Sequence, residues 1–385
     1  MRLVFLNHNP AWAGTFFRAY HLGRALRARG HEVLVVTTHA TGRWRGGVER
    51  SGGVVVAHMP DLLSGRGRTG WDLWNLFHRL RLVQGRRCDL VHAFDSRPAV
   101  IYPALRLRDG GARLVLDWAD WWGRGGTTRE RSGPLLGPLL EPVEQWFEEA
   151  YRREAHGTTV ISRALGERAE GLGVPTGRIH RFPHGCSTER VAPVERAVAR
   201  RALGLDPAAP LVLHLGALVA GDARLLTEAV NAARRRHPRL RLVLVGSVRT
   251  GLTVPPDALL RTGRVDDAEL SLWLGAADVC VVPLRDTVAN RGRWPSKVND
   301  YLVAGRATLL PAVGDAADAV TSAGAGWSTP PDAAALGQRL AEVLDDPAAL
   351  EAAGRAAREL AAGPLAWEHI AGGVEAFYRR VLEDA

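Results

Sequence analysis

Short apolar runs of strand length alternate with helical patterns through both halves of the chain, and this alternation narrows the fold more than any other feature. Residues 3–6 read as a buried strand. The helix after it turns Phe17, Tyr20, Leu22, Ala25 and Leu26 inward and stops at Gly30. Further strands are expected at 32–37, 54–57, 89–93, 113–117 and 158–161, with helices near 71–84 and 97–107. A Gly/Pro-rich loop then leads to a helix over 141–155. Strands apolar along their whole length, with helices between them, belong to parallel sheets covered on both faces.

Residues 187–210 are polar, Ala/Arg-rich and punctuated by proline, as an interdomain connection with a leading helix would be. Alternation then resumes, with strands at 211–215, 240–245, 260–262, 278–283 and 307–311 and helices at 223–236, 267–276 and from 316. The tail is helical and ends in an aromatic-bearing helix over 367–382. A chain of 385 residues exceeds one ordinary core. The expectation is an α/β protein of two tandem doubly wound, Rossmann-like domains, 1–186 and 187–364, with 365–385 packing back on the first. The carboxyl ends of the two sheets would face each other across a cleft, where such folds bind ligands. The first loop, residues 7–15, is not Gly-x-Gly-x-x-Gly, so a dehydrogenase-type dinucleotide site is unsupported.

The net charge of +9 and pI near 10.3 imply an affinity for anions. The arginines are dispersed among acids without basic runs or aromatic interleaving, which argues against a nucleic-acid partner. Cys88, Cys186 and Cys280 lie far apart without metal-ligand spacing. The N-terminus enters a strand directly, and no apolar run is long enough to span a bilayer. A cytoplasmic protein is the expectation.

Residues 290–305 carry the densest chemistry. They read as a polar loop with Arg291 and Arg293 feeding a short helix, with Pro295 in its first turn and Gly305 at its stop. Lys297 and Asp300 project from one face of that helix. A cation placed for phosphate and a carboxylate one turn on, placed for ribose hydroxyls, suit a nucleoside diphosphate. Lys297 is the chain's single lysine among 50 basic residues. Where either cation would serve, this sequence uses arginine, so a compact ammonium is required here; the alternative is a chance survivor on a solvated helix end.

Several motifs in this order resemble the GT-B glycosyltransferases, in particular the retaining enzymes of family 4. They are Gly14 and Arg18 at the entry to the first helix, Arg29-Gly30-His31-Glu32-Val33, Val160-Ile161-Ser162, Leu172-Gly173-Val174-Pro175 and Pro183-His184-Gly185. In the second half they are Gly263-Arg264-Val265 and Asp300-Tyr301-Leu302-Val303-Ala304-Gly305. The likeness spans nearly the whole chain. It implies transfer of a sugar from a nucleoside diphosphate sugar to an acceptor with retention at the anomeric carbon, the second domain holding the nucleotide and the first the acceptor. No metal or other cofactor is expected. The family's paired glutamates are here Asp300 and, eight residues earlier, Gly292, with Asn290 the nearest polar substitute. The family's Arg and Lys after the second domain's first strand are absent from the loop Gly216 to Asp222. The resemblance therefore implies a nucleotide-sugar set of Gly14, Thr15, Gly216, Arg264, Val265, Asn290, Arg291, Ser296, Lys297 and Asp300, with Lys297, Arg293 and Asp120 carrying catalysis. At 263–265 an ordinary strand-to-helix turn stays open as the alternative.

In the first domain, Gly14 and Thr15 would let the backbone approach the donor closely. The acceptor wall is expected from His92, Asp95, Trp118, Asp120, Trp121 and Trp122, where acids and tryptophans precede a Gly-rich loop. The plainer alternatives are a satisfied core histidine and tryptophans capping the core. A soluble small molecule or a glycan is the favoured acceptor. A lipid acceptor is the alternative, with Arg66, Arg68 and Arg79 beside the amphipathic segment 71–84 as a basic membrane face. A nucleotide-sugar epimerase and a non-catalytic sugar-nucleotide binder are readings from other classes.

Overall fold

The computed structural model describes residues 1–63, 69–247 and 251–384, which form two compact units. Unit 1 is Met1–His184 with Trp367–Ala385, and unit 2 is Gly185–Ala366.

Unit 1 is built on eight strands: β1 (Arg2–Pro10), β2 (Glu32–Thr38), β3 (Gly47–Ser51), β4 (Val54–Met59), β5 (Leu90–Phe94), β6 (Arg113–Trp118), β7 (Gly157–Val160) and β8 (Ile179–Arg181). Their order is β3-β4-β2-β1-β5-β6-β7-β8. All pairs are parallel except β3–β4, a hairpin turned by Gly52 and Gly53 at φ 55° and 80°. β3 is exposed and polar, so its pairing leaves no apolar signature in the sequence. The period of two splits β1 between two cores. Leu3 and Phe5 join α1 (Phe16–Ala28) and the C-terminal helix Trp367–Glu383 through Val374, Phe377 and Tyr378. Val4 and Leu6 join the opposite layer with Val100, Ala104 and Phe147. That layer holds α2 (Leu73–Val83), α3 (Pro98–Asp109) and α4 (Thr127–Glu149), while α5 (Arg163–Gly171) follows β7.

Two expectations change here. The helix expected from 141 already begins at Thr127 and breaks at Gly133, which has φ 72° and ψ 179°. Gly133 and the prolines spaced four apart mimic a loop in sequence, yet the chain resumes helix after one kink. In α2, Arg79 is fully buried: its Nε donates to Asn75 Oδ1 at 2.6 Å and its Nη2 to Asn7 O at 2.7 Å. It therefore belongs to no membrane face, and Arg66 and Arg68 lie outside the described residues.

Unit 2 has six parallel strands: β9 (Leu211–Leu215), β10 (Arg241–Val245), β11 (Leu259–Gly263), β12 (Val279–Val281), β13 (Ala307–Pro311) and β14 (Gly326–Thr329). They are ordered β11-β10-β9-β12-β13-β14. Its helices are α6 (Arg196–Ala202), α7 (Ala220–Ala233), α8 (Asp267–Ala276), α9 (Val288–Gly292), α10 (Lys297–Val303), α11 (Asp315–Ser322), α12 (Ala333–Leu344) and α13 (Pro347–Ala362). Leu226, Val230, Leu242, Leu244, Leu309 and Leu340 form one continuous core on a face of this sheet.

Candidate active site

In unit 2 the chemistry gathers at the carboxyl ends of β9, β10 and β11. Each ends in a glycine of positive φ: Gly216 at 86°, Gly246 at 110° and Gly263 at 72°. Gly216 N–H donates to Val245 O and Gly246 N–H to Gly263 O, both at 2.7 Å. A Cβ on Gly246 would stand 3.2 Å from Gly216 Cα, while one on Gly263 would meet nothing within 4 Å. The backbone at this edge is thus free of side-chain atoms, and at Gly246 a side chain would crowd the Gly216 backbone. The conspicuous glycines in the sequence were those of the motifs; Gly246 was missed because nothing near it marks a motif.

Lys297 reaches this edge from the start of α10. A Cβ on Gly216 would lie 3.8 Å from its Nζ. Nζ stands 3.1 Å from His214 Nε2 and 3.4 Å from Ala217 O. His214 is wholly buried in β9, and its Nδ1 lies 2.9 Å from Val281 O. A carbonyl only accepts, so Nδ1 carries the ring proton, and Nε2 is left to accept from the Lys297 ammonium. Burial holds His214 well below its ordinary value, and the neighbouring Lys297 charge adds to this. Burial, with Arg293 beside it, lowers Lys297 to about 7. In sequence nothing sets His214 apart from any core histidine of a strand.

Asp300 sits one turn on from Lys297, as its spacing requires. Burial raises its carboxyl to about 6 against the opposing Arg190, whose Nη2 donates to Oδ2 at 3.1 Å. Arg190 lies in the segment read as a connection, so its role was not legible. Two expected nucleotide residues already have protein partners. Arg291 forms a bidentate pair with Asp286, at 2.6 and 2.7 Å, on the exposed surface. Asn290 is 1% exposed, takes the N-cap bond of Thr287 and donates from Nδ2 to Arg285 O, so it fastens the loop and does not face solvent. Ser296 is exposed at the N-cap of α10 and makes no capping bond. Arg293 is half-buried beside Lys297. Arg264 is exposed and Val265 half-buried directly after Gly263.

The Lys297 shift has a measurable consequence. A bound diphosphate stabilises the ammonium, so its pKa in the complex lies above that of the free protein. Affinity should be level below about pH 6 and fall by up to tenfold per unit as pH rises past 7, until the pKa of the complex is reached. Calorimetry of nucleoside diphosphate binding from about pH 6 to about pH 9 should show this fall in wild type and not in Lys297→Met; identical profiles would exclude Lys297 as the titrating group.

In unit 1 the loop after β1 is self-contained. Gly14 has φ 51°, and a Cβ there would sit 2.7 Å from Asn9 Oδ1. Thr15 N–H donates to Asn9 Oδ1 at 2.9 Å, and its hydroxyl lies 2.7 Å from both Asn7 and Asn9 Oδ1. A small concavity is lined by Thr15, Asp95, Ser96, Asp120 and Trp122 at the ends of β1, β5 and β6. Asp95 adopts φ 132°, accepts from the Ser96 and Arg97 amides and meets His8 Nε2 at 3.0 Å. Although burial pushes the other way, His8 and Arg97 hold its carboxyl well below the usual carboxylate range. Trp122 lies face-on beneath Arg97 at 4.3 Å.

The rest of the expected acceptor wall is packed against other side chains of the unit. His92 is fully buried, bonded to Tyr378 at 2.5 Å and Thr159 at 2.9 Å, and burial drives it down to about 3, so the core-histidine alternative holds. Trp118 is 2% exposed, donates to Glu148 at 2.8 Å and is covered by Arg152 and Arg168, so its ring offers no sugar platform. Trp121 is half-buried under Arg168 at 4.5 Å, away from the concavity.

Comparison with known proteins agrees with this arrangement. Residues 13–190 match the model described as Glycosyltransferase Family 4, and residues 209–346 match Glycosyl transferases group 1. A 2-deoxystreptamine glucosyltransferase of Streptomyces kanamyceticus is 27% identical over 261 residues, 64% of this chain and 65% of that protein, just under two thirds of its length. Sucrose-phosphate synthase from Thermosynechococcus elongatus superposes with TM-score 0.73 at 22% identity, covering all of both chains. HepE of Anabaena, solved with UDP and glucose, superposes with TM-score 0.66 at 12% identity, covering 100% of this chain and 99% of that one. Two family models in tandem over two Rossmann-like units, with a lysine and a carboxylate at the glycine-edged end of the second sheet, lead to one conclusion: the chain belongs to the family-4 glycosyltransferases of GT-B fold.

Proposed function

We propose that this protein transfers a sugar from a nucleoside diphosphate sugar to a small polyhydroxylated acceptor, with retention at the anomeric carbon. The observation that carries the reading is the Lys297 ammonium, standing over the bare Gly216 turn with His214 behind it and Asp300 one turn on. Three left-handed glycines beside it admit a ribose diphosphate against the backbone. The bond from the sugar's anomeric carbon to the diphosphate breaks, and the charge left on the diphosphate is met by Lys297 and Arg293. The acceptor oxygen bonds the same face of that carbon, and its proton passes to a phosphate oxygen. No step is assigned to a metal. In unit 1, Asp120 and Trp122 in the concavity receive acceptor hydroxyls. The acceptor class follows the Streptomyces relative, a 2-deoxystreptamine glucosyltransferase.

The test is a turnover screen with UDP-, GDP- and dTDP-sugars against aminocyclitols and simple glycosides, with and without a chelator, reading the product's anomeric coupling by NMR. UDP-glucose is the first donor to try, since HepE holds UDP and glucose. An inverted product overturns the retaining reading; absence of transfer and of donor hydrolysis with every nucleotide overturns the enzyme reading.

The carboxylate has its own prediction. If Asp300 accepts ribose hydroxyls, Asp300→Asn costs roughly 1.5–3 kcal/mol of nucleotide affinity, the range for a hydrogen bond to a charged group. The loss should shrink to near zero with a 2′,3′-dideoxy nucleotide, where that contact is already gone. Equal losses on both ligands would instead assign Asp300 to holding Arg190.

A further inference from the structure

The longest helix of unit 1 is turned inside out. From residue 141 onward α4 presents its acids to the domain. Glu141 accepts from the Gly125 amide, and Glu144 binds Arg97 and the Trp71 indole at 3.2 Å each. Glu148 takes the Trp118 indole and the Trp122 and Gly123 amides, while Glu149 pairs with Arg124 and Arg168. The face given to solvent is apolar: Leu135, Leu136, Leu139, Val143 and Trp146 are 85%, 58%, 72%, 45% and 53% exposed. Steps of four, four and three from Leu135 to Trp146 put them in one stripe. No charged residue is exposed between Leu135 and Ala150. A surface helix of a soluble domain shows the opposite arrangement.

The neighbouring helices extend this face. Trp71, just before α2, and Tyr102 of α3 both meet Phe147 of α4 edge-on, at 5.1 and 6.3 Å, which ties the three helices into one layer. On α2, Leu73 and Phe77 also point outward, 75% and 47% exposed. Arginines stand around the layer: Arg129, paired with Glu141 at 3.6 Å, and Arg131, 5.5 Å over Trp122, at the start of α4, exposed Arg106 one turn past Tyr102, and Arg81 lying 5.7 Å over Phe77. Unit 1 carries 29 arginines against 21 acids, unit 2 only 21 basic residues against 20, so the charge surplus lies on the unit that bears the stripe.

We propose that the outer face of α4, with the exposed edge of α2, docks on the surface of an anionic lipid bilayer. Leucines without hydrogen-bonding neighbours suit acyl chains, which ask for no directional contact; the indole suits the headgroup boundary, and the arginine fringe suits phosphate. None of the described helices is long and apolar enough to cross a membrane, so the contact lies in the plane of the surface. This inference does not depend on the sugar-transfer reading.

The experiment is sedimentation of the full chain with phosphatidylcholine vesicles, with and without phosphatidylglycerol. Binding should be at least about tenfold tighter with the anionic lipid and should weaken with salt. Leu135→Glu and Leu139→Glu, both at open positions, should each cut it about tenfold while leaving the thermal melt unchanged. Failure of wild type to sediment with anionic vesicles overturns the proposal, as does equal sedimentation of folded variants. Concentration-dependent self-association of wild type without vesicle binding, abolished by the same variants, would assign the stripe to an interface between copies instead.

Discussion

Lys297→Ala should lower nucleoside diphosphate affinity by about 1.5–3 kcal/mol, the worth of a hydrogen bond to a charged group, or roughly ten- to a hundredfold. On the proposed sugar transfer, turnover should fall further, by about a hundred- to a thousandfold, because the diphosphate gains charge as its bond to the sugar breaks and a positioned donor is worth most at that moment. The geometry makes the effect specific to an ammonium. Nζ is held between His214 Nε2 and the Gly216 turn, with Ala217 O at 3.4 Å. A planar guanidinium is larger and would press on the Gly216 backbone, so Lys297→Arg should not restore activity even though it restores charge. His214→Ala offers a second reading: it removes the acceptor that aims the ammonium, and turnover should suffer more than ground-state nucleotide binding. Unchanged affinity of Lys297→Ala in calorimetry would remove this residue from the site.

The largest expected effect on stability lies in unit 1, at Arg18. Its Nε and Nη2 donate to the two oxygens of Asp117 at 2.9 and 3.1 Å, and Nη1 and Nη2 reach the carbonyls of Pro183 and Phe182. Thr159 donates to the same carboxylate at 2.6 Å, and both charged side chains are 1% exposed. The pair joins α1, β6, β7 and the turn after β8. Arg18→Leu strands Asp117 as a buried, uncompensated charge and should cost about 3–5 kcal/mol. For a unit of this size that is a fall of roughly 6–20 °C in its melting transition. The double variant Arg18→Leu, Asp117→Leu should recover much of the loss, since replacing both partners by apolar groups removes the charge rather than abandoning it. A single variant that melts with wild type would show that water reaches the carboxylate and that the pair holds nothing together.

Much of this architecture was readable in one dimension. Strands such as β1 and β9 are apolar along their length because both faces of a parallel sheet are covered, and helices between them follow from chain geometry. The exposed hairpin strand β3 escaped notice because pairing through backbone alone leaves no apolar period. The first half of α4 escaped because Gly133 and regularly spaced prolines read as breakers, while their number of actual breaks is one. At the site, Lys297 stood out as the single lysine and Asp300 by its helical offset. Nothing of the kind marked His214, Gly246 or Arg190, whose bonding partners lie 17 to 110 positions away in the chain.

Local chemistry, periodicity and motif order thus specified the α/β class and its two Rossmann-like domains. Those properties depend on residues a few positions apart. Which partner each polar group meets was settled only in three dimensions. Arg291 pairs with Asp286, Asn290 donates to its own loop, His92 is bonded to Tyr378 and Thr159, and Lys297 is held against His214 at the carboxyl end of the sheet. A side chain's freedom depends on what folding brings against it, and for buried polar groups that partner is usually distant in sequence.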